Sequence, residues 1–273
     1  VTAKVQRATL RREAGRHVDL EPPRQVLVDD EFDLVFQRED PPVDADYVTV
    51  TQILSLCRRA RVLNRPEGIL AANEKLYALH FPDLMPPTCV AREMSKLIDF
   101  MTKMGGEMIV KPLGGKGGEG IFHVSQDDRN LFSILEQSTD FGAGWTMAQR
   151  YLPAVREGDK RILLVEGEPL GAVLRVPAED ETRSNLHVGG RPAKAVIDEQ
   201  DRRIIERIAP RLRQDGLFFV GIDVIGGLLT EVNVTSPTGI QEMNALDGVL
   251  YEETVFDHVE ALLEEGGGPE TTS

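Results

Sequence analysis

Cysteine is scarce. The 273 residues hold two, Cys57 and Cys89, too few for a disulfide framework, and no secretory signal pattern opens the chain. Both absences point to a reducing cytoplasm. Long apolar runs are missing too: the longest stretch, Leu217 to Ile225, is interrupted by Asp223, so no segment reads as a membrane span. Positive charge is outweighed, with 31 Lys and Arg against 45 Asp and Glu, a formal net charge of −14. A surface that acidic repels phosphate backbones and anionic lipid, which argues against nucleic acid or a membrane as partner. An anionic ligand would need a locally basic pocket or a divalent cation. The chain has 41% hydrophobic residues and a mean hydropathy of −0.22, ordinary for a globular protein. Its length suits one large domain or two to three modest ones.

Residues 1–30 are charged and weakly patterned, with a break at Pro22-Pro23. FDLVFQR, from Phe32, reads as a buried strand stopped by Asp40-Pro41-Pro42. Tyr47 to Arg59 carries apolar residues at helical spacing, RVLN (61–64) reads as a short strand, and a helix is expected from Pro66 to Leu79. Strand, helix, strand, helix suggests a parallel α/β unit, whose beginning is absent from a chain that opens on Val1 rather than Met. Beyond the Pro-rich 81–88 the spacing predicts a helix (Glu93 to Met104), the strand EMIVKPL, a glycine loop, the strand GIFHV, a helix (Arg129 to Gln137) and the strand TMAQRYL. Antiparallel strands KRILLVEG and PLGAVLRVP follow, turning at Glu166-Gly167-Glu168. Ala178 to Pro192 reads as a long mobile loop, Asp198 to Gln214 as an amphipathic helix before a final hairpin, and the tail GGGPETTS as disordered.

Gly115 to Gly120 fits G-x-G-x-x-G, but a strand follows where a dinucleotide fold needs a helix. A strand–glycine loop–strand unit instead lays backbone N–H groups over nucleotide phosphates, and Lys111 just before it suits a phosphate oxygen. No H-R-D motif follows, which disfavours a protein kinase.

The final hairpin is the most informative stretch. Val220, Ile222 and Val224 alternate with Gly221 and Asp223; Val232 and Val234 alternate with Glu231 and Asn233. Burying both apolar sets on one face puts Val224 opposite Thr230, Ile222 opposite Val232 and Val220 opposite Val234. That register needs a three-residue loop, Gly226-Gly227-Leu228, and sets Asp223 directly across from Glu231, with Asn233 on the same face. Two carboxylates roughly 5 Å apart repel unless a cation lies between them. Three hard oxygen donors without nearby His or Cys favour Mg²⁺ over Zn²⁺, completed by phosphate oxygens. Flap and hairpin together imply Mg-ATP, and the intervening Lys160, Arg161, Arg175, Arg183 and Arg191 imply an acidic co-substrate.

Taken in order, RxDPPxD (38–44), NEKL (73–76), VKPLGGKGGEGIF (110–122), MAQRYLP (147–153), EGDKRILLVEGEP (157–169), ETRSNLHVGGR (181–191) and GIDVIGGLLTEVNVTSPTGI (221–240) resemble prokaryotic glutathione synthetase, an ATP-grasp ligase. The resemblance implies an α/β chain, α+β in its C-terminal part. An incomplete Rossmann-like pre-ATP-grasp domain (1–72) precedes an ATP-grasp domain (73–265), itself split at 152/153, and a tail (266–273) follows. It implies ATP-dependent joining of γ-glutamylcysteine and glycine through an acyl phosphate, with two Mg²⁺ ions that Mn²⁺ can replace, in a cytoplasmic homo-oligomer. Lys75, Lys111, Gly115, Lys116, Gly117, Gly118, Gln149, Tyr151, Leu152 and Asp159 match nucleotide-binding positions. Asp223, Glu231 and Asn233 match the metal ligands. Arg38, Arg161, Arg175, Asn233, Ser236 and Thr238 match the dipeptide site, and Arg161, Arg175 and the lid residue Arg183 match groups that stabilise phosphoryl transfer.

Departures from the family are Lys116 in the flap, Gly239, Gln241 and the missing first strand–helix–strand unit. Another carboxylate–amine ligase of the superfamily, or a non-catalytic nucleotide-binding protein, stays open as an alternative. Cys57, Cys89 and Trp145 read as core residues, and His187 as a solvated loop residue.

Overall fold

The computed structural model describes the whole chain except Ala14, Lys116, residues 179–183 and 185–188, and residues 267–273; nothing is described of the side chains of 265 and 266. The expectations for Lys116, Arg183, His187, most of the lid and nearly all of the tail fall outside the described residues.

The first thirty residues are more ordered than their composition suggests. Strand β1 (Thr2–Val5) pairs antiparallel with β4 (Arg24–Leu27), and between them β2 (Ala8–Glu13) and β3 (Arg16–Leu20) form a hairpin. Sequence patterning misses this hairpin because β2 is exposed at every position, so no apolar face alternates. Cross-strand pairs Leu10–Val18 and Ala8–Leu20, with Arg11 and Arg16 on Asp19, hold it instead.

A short turn, α1 (Val28–Glu31), leads to β5 (Leu34–Phe36), α2 (Ala45–Leu54), β6 (Arg61–Leu63) and α3 (Pro66–Ala71). Strands β5 and β6 pair in parallel, as the strand–helix order requires. Asp44 caps α2 by accepting from the Tyr47 amide at 2.9 Å. Helix α3 ends at Ala71 rather than Leu79, and a 3₁₀ turn covers Tyr77–His80. Gly68 is required in α3: a Cβ there would sit 2.1 Å from the Asp215 carbonyl oxygen.

Next come β7 (Thr88–Ala91), α4 (Met94–Lys103), β8 (Glu107–Pro112), β9 (Phe122–Ser125), α5 (Leu131–Ser138) and β10 (Thr146–Gln149). The four strands form a sheet in the order β7-β10-β8-β9, every pair antiparallel. Strand β7 was not anticipated beside its prolines. Met108, Val110 and Ala148 pack under the helices with Leu97, Met101 and Leu135. The alternation of a strand therefore turns Ile109 and Lys111 to the opposite face.

Two readings are corrected here, and one further motif is placed. Trp145 is 54% exposed, with the Arg92 guanidinium 5.4 Å from its ring, so it is not core. Cys57 and Cys89 are half-buried free thiols, and burial raises the pKa of each. Asp140-Phe141-Gly142, which spells a kinase magnesium motif, forms a surface 3₁₀ turn with Phe141 72% exposed.

The largest sheet runs β13-β12-β11-β14-β15, built from β11 (Asp159–Val165), β12 (Glu168–Val176), β13 (Arg191–Lys194), β14 (Phe219–Ile225) and β15 (Leu228–Asn233). Helix α6 (Glu199–Gln214) covers one face, packing Ile204, Ile208 and Leu212 against Ile162, Leu164 and Ile222. Helices α7 (Ile240–Asp247) and α8 (Tyr251–Gly266) cover the other, with Met243, Val255 and Val259 near Leu163, Val165 and Phe219. Burial on both faces explains why β11 and β14 read as nearly unbroken apolar runs. The expected loop over Ala178–Pro192 gives up its last two residues to β13.

The final hairpin keeps the expected face but differs in its turn. Ile222 pairs with Val232 and Asp223 with Glu231, while Val224 pairs with Leu229 and Ile225 with Leu228. A two-residue Gly226-Gly227 turn, both glycines at positive φ, replaces the three-residue loop. The extra residue sits instead in a bulge at Thr230, whose hydroxyl donates to the Asp223 carbonyl at 3.2 Å. Among the described residues no helix is long and apolar enough to cross a membrane.

Candidate functional site

A cavity of ≈ 830 Å³ opens between the two larger sheets. It is lined by Arg38, Lys75, Lys111, Gly115, Gly117, Gly118, Gln149, Tyr151, Leu152, Asp159, Arg161, Arg175, Asp223, Glu231, Asn233, Ser236 and Thr238. Every described residue that the family resemblance matched to the nucleotide, metal or dipeptide site therefore lies in one place. Their separation along the chain gave no measure of this.

Asp223 is 3% exposed at the cavity floor. Arg161 grips both its oxygens, Nε to Oδ1 at 2.5 Å and Nη2 to Oδ2 at 2.9 Å, and Arg175 Nη2 reaches Oδ1 at 2.9 Å. Burial alone would raise the pKa of Asp223; the two guanidiniums reverse that and hold it well below the usual carboxylate range. Arg175 also donates to Asp159 Oδ2 at 2.6 Å, which accepts from Ser184 Oγ at 3.0 Å. Burial pushes Asp159 up to about 6, against the pull of Arg175 and with the further push of Asp223. Asp159 Oδ1 and Arg175 Nε are buried with no partner among the described residues.

Strand alternation divides the expected cationic cluster. Arg161 points into the cavity, while its neighbour Lys160 points to the start of α6 and pairs with Asp198 (2.9 Å) and Asp201 (2.5 Å). Arg191, at the start of β13, is exposed. Only Arg161 and Arg175 of the described members meet at the site.

Lys75, 4% exposed, bridges the flap and the acidic hairpin: Nζ lies 3.0 Å from the Gly115 carbonyl and 3.2 Å from Glu231 Oε1. Lys111 is buried beside it, and burial lowers its pKa while Glu231 raises it. At the far end Arg38 donates to the Pro237 carbonyl at 2.9 Å, its guanidinium 5.2 Å from the Phe219 ring. Ser236 donates to Asp40 Oδ1 at 2.7 Å.

Glu74 and Asp40 were missed as site residues although both sit inside the motifs quoted. Glu74 Oε1 accepts from the Val234 amide (2.8 Å), the Thr235 amide (3.0 Å) and the Thr235 hydroxyl (2.8 Å), anchoring the chain just after Asn233. Its position between Asn73 and Lys75 was the available signal.

No three His, Cys, Asp or Glu among the described residues gather tightly enough to hold a metal ion by themselves. Asp223 and Glu231 face each other, and Asn233 Nδ2 donates to the Gly221 carbonyl (3.2 Å) and to Asp223 Oδ2 (3.4 Å). That leaves the amide oxygen of Asn233 as its group for a cation. Two carboxylates and an amide oxygen are an incomplete, all-oxygen set. They fit a hard divalent ion that brings phosphate oxygens with it.

A model described as "Prokaryotic glutathione synthetase, ATP-grasp domain" matches residues 74–248, and one described as "Prokaryotic glutathione synthetase, N-terminal domain" matches residues 1–69. The chain is 52% identical over 234 residues to the glutathione synthetase of Gloeobacter violaceus, covering 83% of this chain and 72% of that protein. It is 44% identical over 263 residues to that of Brucella melitensis biotype 1, covering 96% and 83%. Among solved structures it is similar in fold to D-cycloserine synthetase DcsG (TM-score 0.67, 17% identity, 85% of each chain). The D-alanine–D-alanine ligase of Bacillus anthracis complexed with ATP is also similar (TM-score 0.60, 15% identity, 87% of this chain and 82% of that one).

Proposed function

The chain belongs to the prokaryotic glutathione synthetase family, and from that premise we propose how its own residues carry out the reaction. It is an ATP-dependent carboxylate–amine ligase that makes glutathione. ATP phosphorylates the cysteinyl carboxylate of γ-glutamylcysteine, ADP leaves, and the amine of glycine displaces phosphate from the acyl phosphate.

In this reading Gln149, Tyr151 and Leu152 receive the adenine, and Lys75 and Lys111 hold the phosphates beneath Gly115, Lys116, Gly117 and Gly118. Asp223, Glu231 and Asn233 would hold two Mg²⁺ ions, with Mn²⁺ as a substitute; bound there, the ions would supply charge neutralisation and polarisation at the phosphates. Arg161 and Arg175 draw the dipeptide carboxylate in and stabilise the charge that builds as phosphoryl moves between two anions. Asp159 and Asp223 keep both guanidiniums aimed at the cavity. Arg38, Ser236 and Thr238 form the dipeptide end, and Arg183 belongs to a lid that keeps water from the acyl phosphate, which hydrolyses if wet.

Fixed positive charge buried on the Asp223 carboxylate, opposite Glu231, carries this reading. It suits a reaction that needs charge neutralisation and alignment more than acid–base chemistry. The same reading divides the chain at 72/73 and 152/153, and makes it a cytoplasmic homo-oligomer. ADP release measured with γ-glutamylcysteine, with and without glycine, tests it: sustained turnover that requires both is expected. Mg-ATP binding without turnover on any dipeptide–amine pair would leave only a nucleotide-binding protein.

A further inference from the structure

Thr88 and Gln149 are direct cross-strand partners of β7 and β10, and Gln149 is also paired with Ile109 of β8. Their side chains therefore leave the sheet on one face, the face that Ile109 and Lys111 turn to the cavity. Thr88 Oγ1 lies 2.8 Å from the Pro86 carbonyl oxygen and 3.2 Å from Gln149 Nε2.

These three groups leave one arrangement. A carbonyl can only accept, so the single hydroxyl hydrogen of Thr88 goes to Pro86. The Thr88 oxygen is then an acceptor only, and of the two ends of the Gln149 amide only the NH₂ can serve it. The amide, on a residue 2% exposed, is thereby turned with Oε1 away from Thr88, and Oε1 has no partner among the described residues.

We infer that Thr88 sets the purine preference of this cavity, by holding the Gln149 amide so that a fixed acceptor faces the base. The inference rests on reading the cavity as a nucleotide site. A 6-amino purine offers an N–H to that acceptor. A 6-oxo purine sets oxygen against oxygen, and a buried polar group left unpaired rejects a ligand by orders of magnitude. Thr88 is a positioning residue, acting through Gln149. Without its oxygen the amide is free to turn half a revolution about its terminal torsion, which is broad and two-fold, and to offer NH₂ to a 6-oxo group.

The test is titration of the intact protein, with Mg²⁺, by ATP and by inosine triphosphate. The wild type is expected to prefer ATP by about 100-fold or more. Thr88→Val, nearly the same shape, should lose at least about tenfold of that preference, with inosine triphosphate binding more tightly than to wild type. A merely structural role for Thr88 would not produce that gain. Thr88→Ser should retain the preference, and adding Gln149→Glu to Thr88→Val should restore it, because a carboxylate has no donor end to turn. An unchanged ATP-to-inosine triphosphate ratio in folded Thr88→Val overturns the inference and leaves the nucleotide reading standing. A wild type that binds neither nucleotide overturns both. If Thr88→Val folds poorly, Gln149→Glu alone decides: a retained ATP preference supports the inference and equalised binding overturns it.

Discussion

Asp223 and Glu231 face each other across the β14–β15 ribbon, yet each is neutralised by different cations: Arg161 and Arg175 hold Asp223, and Lys75 holds Glu231. The two carboxylates are thus unequal. Asp223 is locked into the floor by two guanidiniums, whereas Glu231 is less buried and is paired with a single lysine.

Glu231→Gln is therefore expected to separate activity from folding. Turnover should fall by about 10²–10³-fold, the loss typical when one electrostatic contact to a transferring group is removed. The melting temperature should change little. ADP release and thermal unfolding of the same preparation check both halves, and near-normal turnover would remove Glu231 from the metal site.

Arg175 sits between two buried carboxylates, Asp159 and Asp223. Burial would lower its pKa, but these partners raise it. Arg175→Met leaves both acids short of a cation and should cost about 3–5 kcal/mol in urea denaturation. Adding Asp159→Asn removes one orphaned charge, so the double variant should be more stable than the sum of the two single effects. Simple additivity would mean that the two groups are not coupled.

Asp159 also sets a pH signature. Burial raises its pKa from 3.8 to about 6, so the folded chain holds a proton that the unfolded chain has released. Its effect on stability therefore worsens as pH rises between those values and is constant above them. Asp223, with its pKa depressed, acts in the other direction: its stabilisation is full above 3.8 and is lost as pH falls through the depressed value. Asp159→Asn cannot ionise. The stability of this variant relative to wild type should climb from pH 4 to pH 6 and then level off; parallel urea midpoints across that range would refute the assignment.

Away from the cavity, Asp198 caps α6 through the Gln200 and Asp201 amides, and Asp201 returns a bond to the Asp198 amide. Asp198→Ala should cost about 1–2 kcal/mol by urea denaturation, with kcat unchanged.

The hairpin shows how far periodicity reaches. Alternation of Val220, Ile222 and Val232 placed Asp223 opposite Glu231 correctly, because a one-residue slip would expose every apolar side chain. It could not say where the odd residue lay. A three-residue loop and a two-residue turn with a bulge at Thr230 give the same register beyond the bulge, and only the backbone distinguishes them. The 8–20 hairpin was missed for the converse reason: strands exposed along their length need no apolar alternation.

What the sequence by itself determined is local: strand and helix periods, the glycine flap, the shared face of Asp223, Glu231 and Asn233. Side-chain period is set within a few residues, so it can be read without knowing what packs above. Tertiary structure alone decided which charge meets which. Arg161 and Lys160 are adjacent, yet one reaches Asp223, 62 residues away, and the other Asp198. Glu74 anchors Thr235 across 161 residues. Such pairings depend on distance in space and on exclusion of water, and both exist only after the sheets have closed over the cavity.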